Sequence, residues 1–273
     1  MGPEGSFSEE ASRNHFGSTG ELVAFPDIGG AISAVENNLV DAAVVPIENS
    51  IEGAISVTVD DLIHSRRPPR IVAEINLAVR QHLVGRPGTT LSEIQRLVAQ
   101  PAALSQSRRW LEEHLPQVQV LPALSTSAAV ASLVHSNAIA AIGSDRAARL
   151  YGMEVIATDI QDSDDNVTRF VVLGATTPEP TGRDKTSICC SIAEDRPGSL
   201  VAILMEFAAR TINLTKIESR PTRGGLGKYY FLIDMLGHQA DPMVAAALLG
   251  VQKTSQEFRI LGSYPMAAPA TRA

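Results

Sequence analysis

The sequence predicts an α/β protein built in two parts, a pair of similar α/β lobes followed by a smaller βαββαβ unit. Three observations carry this prediction. A helix, strand and polar-turn pattern occurs twice, about a hundred residues apart; a stretch rich in Pro, Gly and Thr, GATTPEPTGRDK at 174–185, interrupts the apolar periodicity; and the order of elements changes beyond it. With 273 residues, and roughly 150 per domain, there is room for one large domain or two moderate ones.

In the first copy of the repeat, 28–38 reads as helix, 42–47 as strand and Glu48-Asn49-Ser50-Ile51-Glu52-Gly53 as polar turn. In the second, 127–135 reads as helix, 138–142 as strand, and Gly143-Ser144-Asp145-Arg146 opens another helix. Both strands are apolar on both sides, the pattern of a parallel sheet covered by helices on each face. In such sheets ligands bind beyond the carboxyl ends of the strands, where loops run into helix N-termini, so the cleft between the lobes is the expected site.

Beyond residue 185 the pattern is shorter and more regular. Residues 186–192 alternate as a strand, and Pro197 falls at the expected first position of a helix that shares Leu200, Ile203, Leu204, Phe207 and Ala208 on one face. Residues 214–219 and 228–236 read as strands joined by a Gly-rich turn at 223–227. Met243, Val244, Ala247, Leu248 and Val251 mark a second amphipathic helix, and a last strand falls near 258–261. That order predicts a ferredoxin-like sheet with both helices on one face.

Composition narrows the function. Apolar residues make up 44% and charged residues 19%, a globular balance. No apolar run approaches the roughly 18 residues that span a bilayer, and the first ten residues lack the basic and apolar regions of a secretion signal. With 23 Lys and Arg against 30 Asp and Glu, the net charge of −7 opposes binding to nucleic acid or an acidic membrane. The two cysteines, Cys189 and Cys190, are adjacent and cannot staple a loop, which fits a reducing cytoplasm. Six scattered histidines form no HExxH or His/Cys cluster, so no metal is expected; GxSxG, Walker A and a strand-following GxGxxG are absent as well.

Three polar stretches would converge on the cleft. GPEGSFSEEA, at 2–11, reads as a turn entering a helix, with Ser6 or Ser8 as cap and open backbone N–H groups for an anion. Pro46-Ile47-Glu48-Asn49-Ser50 places three hydrogen-bonding side chains after an apolar strand, either to orient a ligand or to cap a helix. Asn166-Val167-Thr168-Arg169-Phe170 puts a hydroxyl, a cation and an aromatic ring at a strand entrance; Arg169 either meets a ligand or pairs with Asp164 or Asp165, and Phe170 is either a site wall or core.

Taken together, GPEGSFSEEA, VPIENSIEGA and NVTRFVVLG closely resemble the three signature stretches of bacterial prephenate dehydratase, in order and over nearly the whole chain. Residues 186–262 resemble the ACT regulatory domain of that family, with Gly198-Ser199-Leu200-Val201 at its GALV motif and Glu218-Ser219-Arg220-Pro221 at its ESRP motif. The resemblance implies a two-lobed, periplasmic-binding-protein-like catalytic domain over 1–175, with lobes at 1–75 plus 160–175 and at 76–159. A linker at 176–185, a ferredoxin-like βαββαβ ACT domain at 186–262 and a tail at 263–273 follow. Where the family carries His-Pro-Gln, this chain has Gln100-Pro101-Ala102 and keeps Gln106 on the same predicted helix. The family strand before GPEG has no counterpart after Met1, through either a truncated start or a lost sheet member.

The implied reaction removes water and CO2 from prephenate to give phenylpyruvate, on the route to phenylalanine, without a cofactor. By match to the motifs, Thr168 would donate a hydrogen bond to the departing hydroxyl and Glu48 would supply a proton. Ser6, Asn49, Ser50 and Arg169 would bind substrate oxygens, and Phe7 and Phe170 would wall the site. The ACT resemblance implies phenylalanine as allosteric effector, held by Asp195, Pro197, Gly198, Ser199 and Leu200 with Glu218, Ser219, Arg220 and Pro221 across a homodimer or homotetramer contact. Arogenate dehydratase, which shares these motifs, and a non-catalytic amino-acid sensor are the alternatives.

Overall fold

The computed structural model describes residues 4–135, 139–192, 196–222 and 228–270. The first lobe opens with α1 (Phe7–Phe16), α2 (Ile28–Glu36), β1 (Ala42–Asn49), β2 (Gly53–Ala54), α3 (Ser56–His64) and β3 (Arg70–Ala78). The chain then crosses into a second lobe of β4 (His82–Gly85), β5 (Arg96–Ala99), α4 (Pro101–Gln106), α5 (Arg108–His114), β6 (Gln119–Pro122), α6 (Thr126–Ala131), β7 (Ile139–Gly143), α7 (Asp145–Leu150) and β8 (Glu154–Ala157). It returns as β9 (Val167–Gly174) and continues through β10 (Asp184–Ile192), α8 (Ser199–Ala208), β11 (Leu214–Pro221), β12 (Tyr229–Leu236), α9 (Pro242–Thr254) and β13 (Ser255–Pro265).

Lobe two keeps the parallel expectation in part. In its sheet, ordered β6-β5-β7-β4-β8, β5 lies parallel to both β6 and β7, whereas β4 runs antiparallel to β7 and β8. Leu83, Leu97 and Ile142 pack on one face against Leu111 and Leu115 of α5 and its C-cap, and Val84, Val98 and Ala141 pack on the other against Ala129 and Ala147 of α6 and α7. The second copy of the repeat begins its strand at Ile139; Ala138 lies outside the described residues.

Lobe one departs from the parallel expectation. β9 returns from lobe two between β1 and β3 and pairs antiparallel with both. A strand covered on both faces is apolar all round whichever way its neighbours run, so the sequence pattern does not carry direction.

The βαββαβ unit has the predicted order, with its strands arranged β11-β12-β10-β13 and all antiparallel. Ile203 and Phe207 of α8 and Val244, Ala247 and Val251 of α9 cover one face with Ile188, Cys190, Ile233 and Met235. Its first helix begins later than the sequence suggests. Gly198 sits at the N-cap with φ of 90°, a left-handed conformation that favours glycine, so the helix starts at Ser199 and Pro197 precedes it. The turn at 223–227 lies outside the described residues.

The two parts are fused through one sheet. β13 runs well past 258–261 and meets β3 in parallel, giving eight strands in the order β11-β12-β10-β13-β3-β9-β1-β2. β9 and β12 are four strand spacings apart, about 19 Å at ~4.8 Å each if the sheet were flat. Yet Arg169 of β9 reaches Asp234 of β12 at 2.7 Å. The sheet therefore folds over on itself, and Val45, Val171, Cys189, Leu232 and Tyr264 share one core with α2 and α3.

The join between β13 and β3 needs glycine. A Cβ on Gly262 would fall 2.1 Å from the Ile71 carbonyl oxygen, and that atom belongs to backbone and cannot rotate aside. Gly262→Ala is expected to cost at least the roughly 1–3 kcal/mol of overpacking, read as a lower urea midpoint with an unchanged slope.

Candidate functional site

Strand alternation sorts the signature residues. Asn49 of β1 stands opposite Thr168 of β9, and the next pair back is Glu48 opposite Arg169. Successive residues of a strand point to opposite faces, so Thr168 and Asn49 share one face while Arg169 and Glu48 share the other. Phe170 and Val172, on the Thr168 face, pack with Ala11 of α1 and with Leu77.

On that face Asn49 organises the site. Its Oδ1 accepts from the backbone N–H groups of Ile51 (2.9 Å) and Glu52 (3.0 Å). Because backbone nitrogens can only donate, the amide orientation is fixed, and Nδ2 donates to Thr168 Oγ1 at 3.0 Å and Asn166 Oδ1 at 2.8 Å. Thr168 thus accepts from Asn49, which leaves its own O–H proton to be donated. The network continues across the lobes: Asn166 Nδ2 donates to Gln106 Oε1 at 2.8 Å, and Gln106 Nε2 donates to Glu52 Oε1 at 3.2 Å. Gln81 Nε2 also donates to Gln106 Oε1, at 3.3 Å.

The other expected residues of this site take different parts. Ser50 spends its hydroxyl proton on the Asp165 carbonyl (2.6 Å) and accepts from Val167 N–H (2.9 Å), so it clamps the entrance of β9. Ser6 caps α1, accepting from Glu9 N–H at 3.3 Å. Phe7 is half-buried and lines an interlobe cavity of about 480 Å3 beside Leu77, with Arg80, His82, Arg146 and Arg149 on its walls. Phe170 is only 2% exposed and belongs to the core, so it walls no ligand. Gly2 and Pro3 lie outside the described residues.

Arg169 and Glu48 are corrected more strongly. Arg169 is 7% exposed and pairs with Glu48 (2.7 Å), Glu74 (3.1 Å) and Asp234 (2.7 Å), while Asp164 pairs instead with Arg80 at 3.0 Å. The Glu48 contact is ionic, since the Arg169 Nε–H is not aligned on it as a hydrogen bond. Burial works against the Arg169 charge, but Asp234, Tyr264, Glu48 and Glu74 outweigh it and hold the guanidinium above its usual range. Glu48 spans Arg169 and Lys216 (2.6 Å), on the face away from Thr168, and is not placed to hand it a proton.

The N-terminal stretch is tied to lobe two. Ser127 Oγ and Tyr151 Oη donate to the Glu4 carbonyl, and Ser144 Oγ donates to that of Gly5 at 3.1 Å. Glu9 accepts from Gly5 N–H at 2.6 Å and pairs with Arg146 at 2.6 Å and Arg13 at 2.8 Å. Burial pushes its carboxyl up, but these partners prevail and lower it to about 2. Glu10, on the cavity wall, is raised by burial, with Arg146 and Arg149 offsetting part of that.

In the C-terminal unit, Pro197, Gly198 and Ser199 line a second cavity of about 460 Å3, together with Arg196 and Lys253. Leu200 packs against the core under α8. Asp195 lies outside the described residues. The Glu218 to Pro221 stretch splits by strand alternation. Ser219 and Pro221 are exposed, whereas Glu218 and Arg220 turn toward lobe one, where Arg220 binds Ser56 and Asp60 of α3, both at 2.8 Å. Arg220 is thereby engaged within its own chain, and none of the four residues lines the second cavity.

Sequence reasoning missed Asn166, Gln81 and the cavity cations Arg80 and Arg146. Asn166 stood inside one of the signature motifs and Arg146 in the strand-to-helix turn of the second repeat; Gln81 and Arg80 carried no local signal.

The fold and site define a two-lobed α/β enzyme domain, with a polar network bridging its cleft, joined to a small βαββαβ regulatory unit. Residues 1–178 match the family model for prephenate dehydratase, and 191–250 match that for the ACT domain. The chain is 39% identical to prephenate dehydratase of Mycolicibacterium vanbaalenii, covering 97% of this chain and 89% of that one. The crystal structure of prephenate dehydratase in complex with L-Phe from Arthrobacter aurescens is 40% identical with a TM-score of 0.91, covering 100% of this chain and 92% of that one. Prephenate dehydratase from Staphylococcus aureus is 28% identical with a TM-score of 0.82, covering 97% and 98%. The chain belongs to the prephenate dehydratase family, carbon–oxygen lyases, and carries a C-terminal ACT domain.

Two predictions follow from the charges. Arg169→Met leaves Asp234 and Glu74 buried without their guanidinium, so denaturant unfolding should show a loss of roughly 3–5 kcal/mol, with KM for prephenate little changed in the folded fraction. The Glu9 carboxyl is held below its ordinary 4.5, so its contribution is full above about pH 4.5 and lost as pH falls toward about 2. The melting temperature of Glu9→Gln should therefore trail that of the parent near neutrality and converge on it in acid.

Proposed function

We propose that prephenate binds between the lobes with its C4 hydroxyl at Thr168 Oγ1. The ring carboxylate leaves as CO2, its bond electrons aromatise the ring and expel the C4 oxygen, and Thr168 donates a hydrogen bond to that oxygen as it departs and takes a proton from solvent to become water. The observation that carries this reading is the fixed Asn49 amide, which donates to Thr168 and so turns the threonine proton outward. A neutral hydroxyl is a weak acid, but aromatisation of the ring drives the step, and orientation with one good donor is the help it needs. The interlobe cavity beside Leu77, the β3 neighbour of Thr168, carries Arg80, Arg146 and Arg149 with Glu10 and Asp145 on its walls, and these cations are the groups proposed to meet the substrate carboxylates. Ser6, at the N-terminus of α1, is offered as a further donor to substrate oxygen.

Phenylalanine is the proposed effector, at the cavity formed by Pro197, Gly198 and Ser199 with the cations Arg196 and Lys253, which suits an amino-acid carboxylate. The Arthrobacter relative, in complex with L-Phe, supports this ligand. β11 is an edge strand with Ile217 and Ser219 exposed, and a second copy across that edge is the proposed homodimer. Buried, unbridged thiols at Cys189 and Cys190, raised by burial to about 12 and about 11, are in keeping with a cytoplasmic enzyme.

The decisive assay follows phenylpyruvate from prephenate and phenylalanine from arogenate, with and without added phenylalanine. Thr168→Ala should lower kcat on prephenate by a factor on the order of 10²–10³ while KM stays within a few fold, the signature of a lost transition-state contact. Near-parental turnover by that variant would remove Thr168 from the chemistry, and indifference of the parent to saturating phenylalanine would remove the effector.

A further inference from the structure

The turn that carries Asn49 is gripped at both ends by one strand of the ACT domain. At its start, Glu48 Oε2 lies 2.6 Å from Lys216 Nζ of β11, and Lys216 is itself 3.2 Å from Glu218. At its end, Arg220, four residues further along the same face of β11, donates to Ser56 Oγ and Asp60 Oδ1, both at 2.8 Å. Between Glu48 and Ser56 lie Asn49, with its bonds to Ile51, Glu52 and Thr168, and Glu52, with its bond to Gln106 of lobe two.

Glu48 and Asn49 are consecutive on β1, so a displacement of the Glu48 backbone moves the Asn49 amide with it. Lys216, Glu218 and Arg220 alternate with the exposed Thr215, Ile217, Ser219 and Pro221, so one strand presents charges to the active-site turn and a different row of residues to solvent.

We propose that Lys216 and Arg220 are positioning residues for the Asn49 and Thr168 pair, holding the two ends of the catalytic turn so that any shift of β11 is felt at the reacting hydroxyl. The idea deepens the phenylalanine reading and rests on it for its regulatory half: an effector that moves β11 changes turnover through this grip.

The full-length enzyme tests it through Lys216→Met, Lys216→Arg and Asp60→Asn. Prephenate kinetics, per mole of folded enzyme, should show kcat falling about tenfold in Lys216→Met with KM within about twofold, and Lys216→Arg should restore kcat, a result that general loosening of the fold does not give once the folded fraction is counted. Calorimetric binding of phenylalanine to the substrate-free protein should stay within about twofold, while the phenylalanine concentration for half inhibition rises about tenfold or more. Parental kcat and parental inhibition in both Lys216→Met and Asp60→Asn would overturn the proposal. If a melting curve shows Lys216→Met unfolded at the assay temperature, Asp60→Asn, which cuts the other grip, decides the question by the same criteria. Failure of the effector reading would look different: the parent would give no heat with phenylalanine, and the kcat of the variants would still decide the positioning role.

Discussion

Arg169 is the group on which the arrangement depends. A guanidinium buried between the folded halves of a sheet is tolerable only where carboxylates meet it, and Glu48, Glu74 and Asp234 come from β1, β3 and β12 respectively. Glu74 is also held by Lys185 at 2.8 Å and Glu48 by Lys216 at 2.6 Å, so three cations meet three carboxylates. These contacts fix the register of β1 against β9. A slip of one residue would turn Arg169 to the cleft and Thr168 into the interdomain core, exposing buried carboxylates, so the electrostatics of one face position the hydroxyl of the other.

That division was partly legible in the sequence. Thr168, Arg169 and Phe170 were expected to arrive together at a cleft, as a loop would deliver them, but they lie within β9, where period 2 separates Arg169 from its neighbours. The same rule separates Glu48 from Asn49 and divides Glu218 and Arg220 from Ser219 and Pro221. The motifs themselves, the repeat of helix and strand, and the βαββαβ order could be read because each is local. The partners of Arg169 could not: Asp234 is 65 residues away and Glu74 is 95, and nothing near either announces the pairing.

The continuity of the sheet was hidden for a related reason. A Pro- and Gly-rich stretch between apolar patterns marks a linker, and here it does separate β9 from β10. It carries no information on whether the strands beyond it rejoin the first sheet. The join depends on Gly262 lying against Ile71, a close approach that a glycine in a strand permits without predicting. The regulatory unit is therefore not tethered beside the catalytic lobe but built into the same sheet.

The proposed reading accounts for a network that is mostly amides. On that reading the step calls for a donor aimed at the leaving oxygen more than a strong acid, and Asn49, Asn166, Gln106 and Gln81 can fix a hydroxyl without titrating near neutrality. Amides also make the network sensitive to lobe position, because Asn166 and Glu52 each bond Gln106 across the cleft, at 2.8 Å and 3.2 Å. Opening the lobes would break those two bonds and leave the Asn49 to Thr168 bond standing, since both of its partners belong to the same sheet. The Thr168 hydroxyl is thus held by a bond within lobe one, the Gln106 bonds bring lobe two into its surroundings, and the charges that join the two domains lie on the opposite face of β1 and β9.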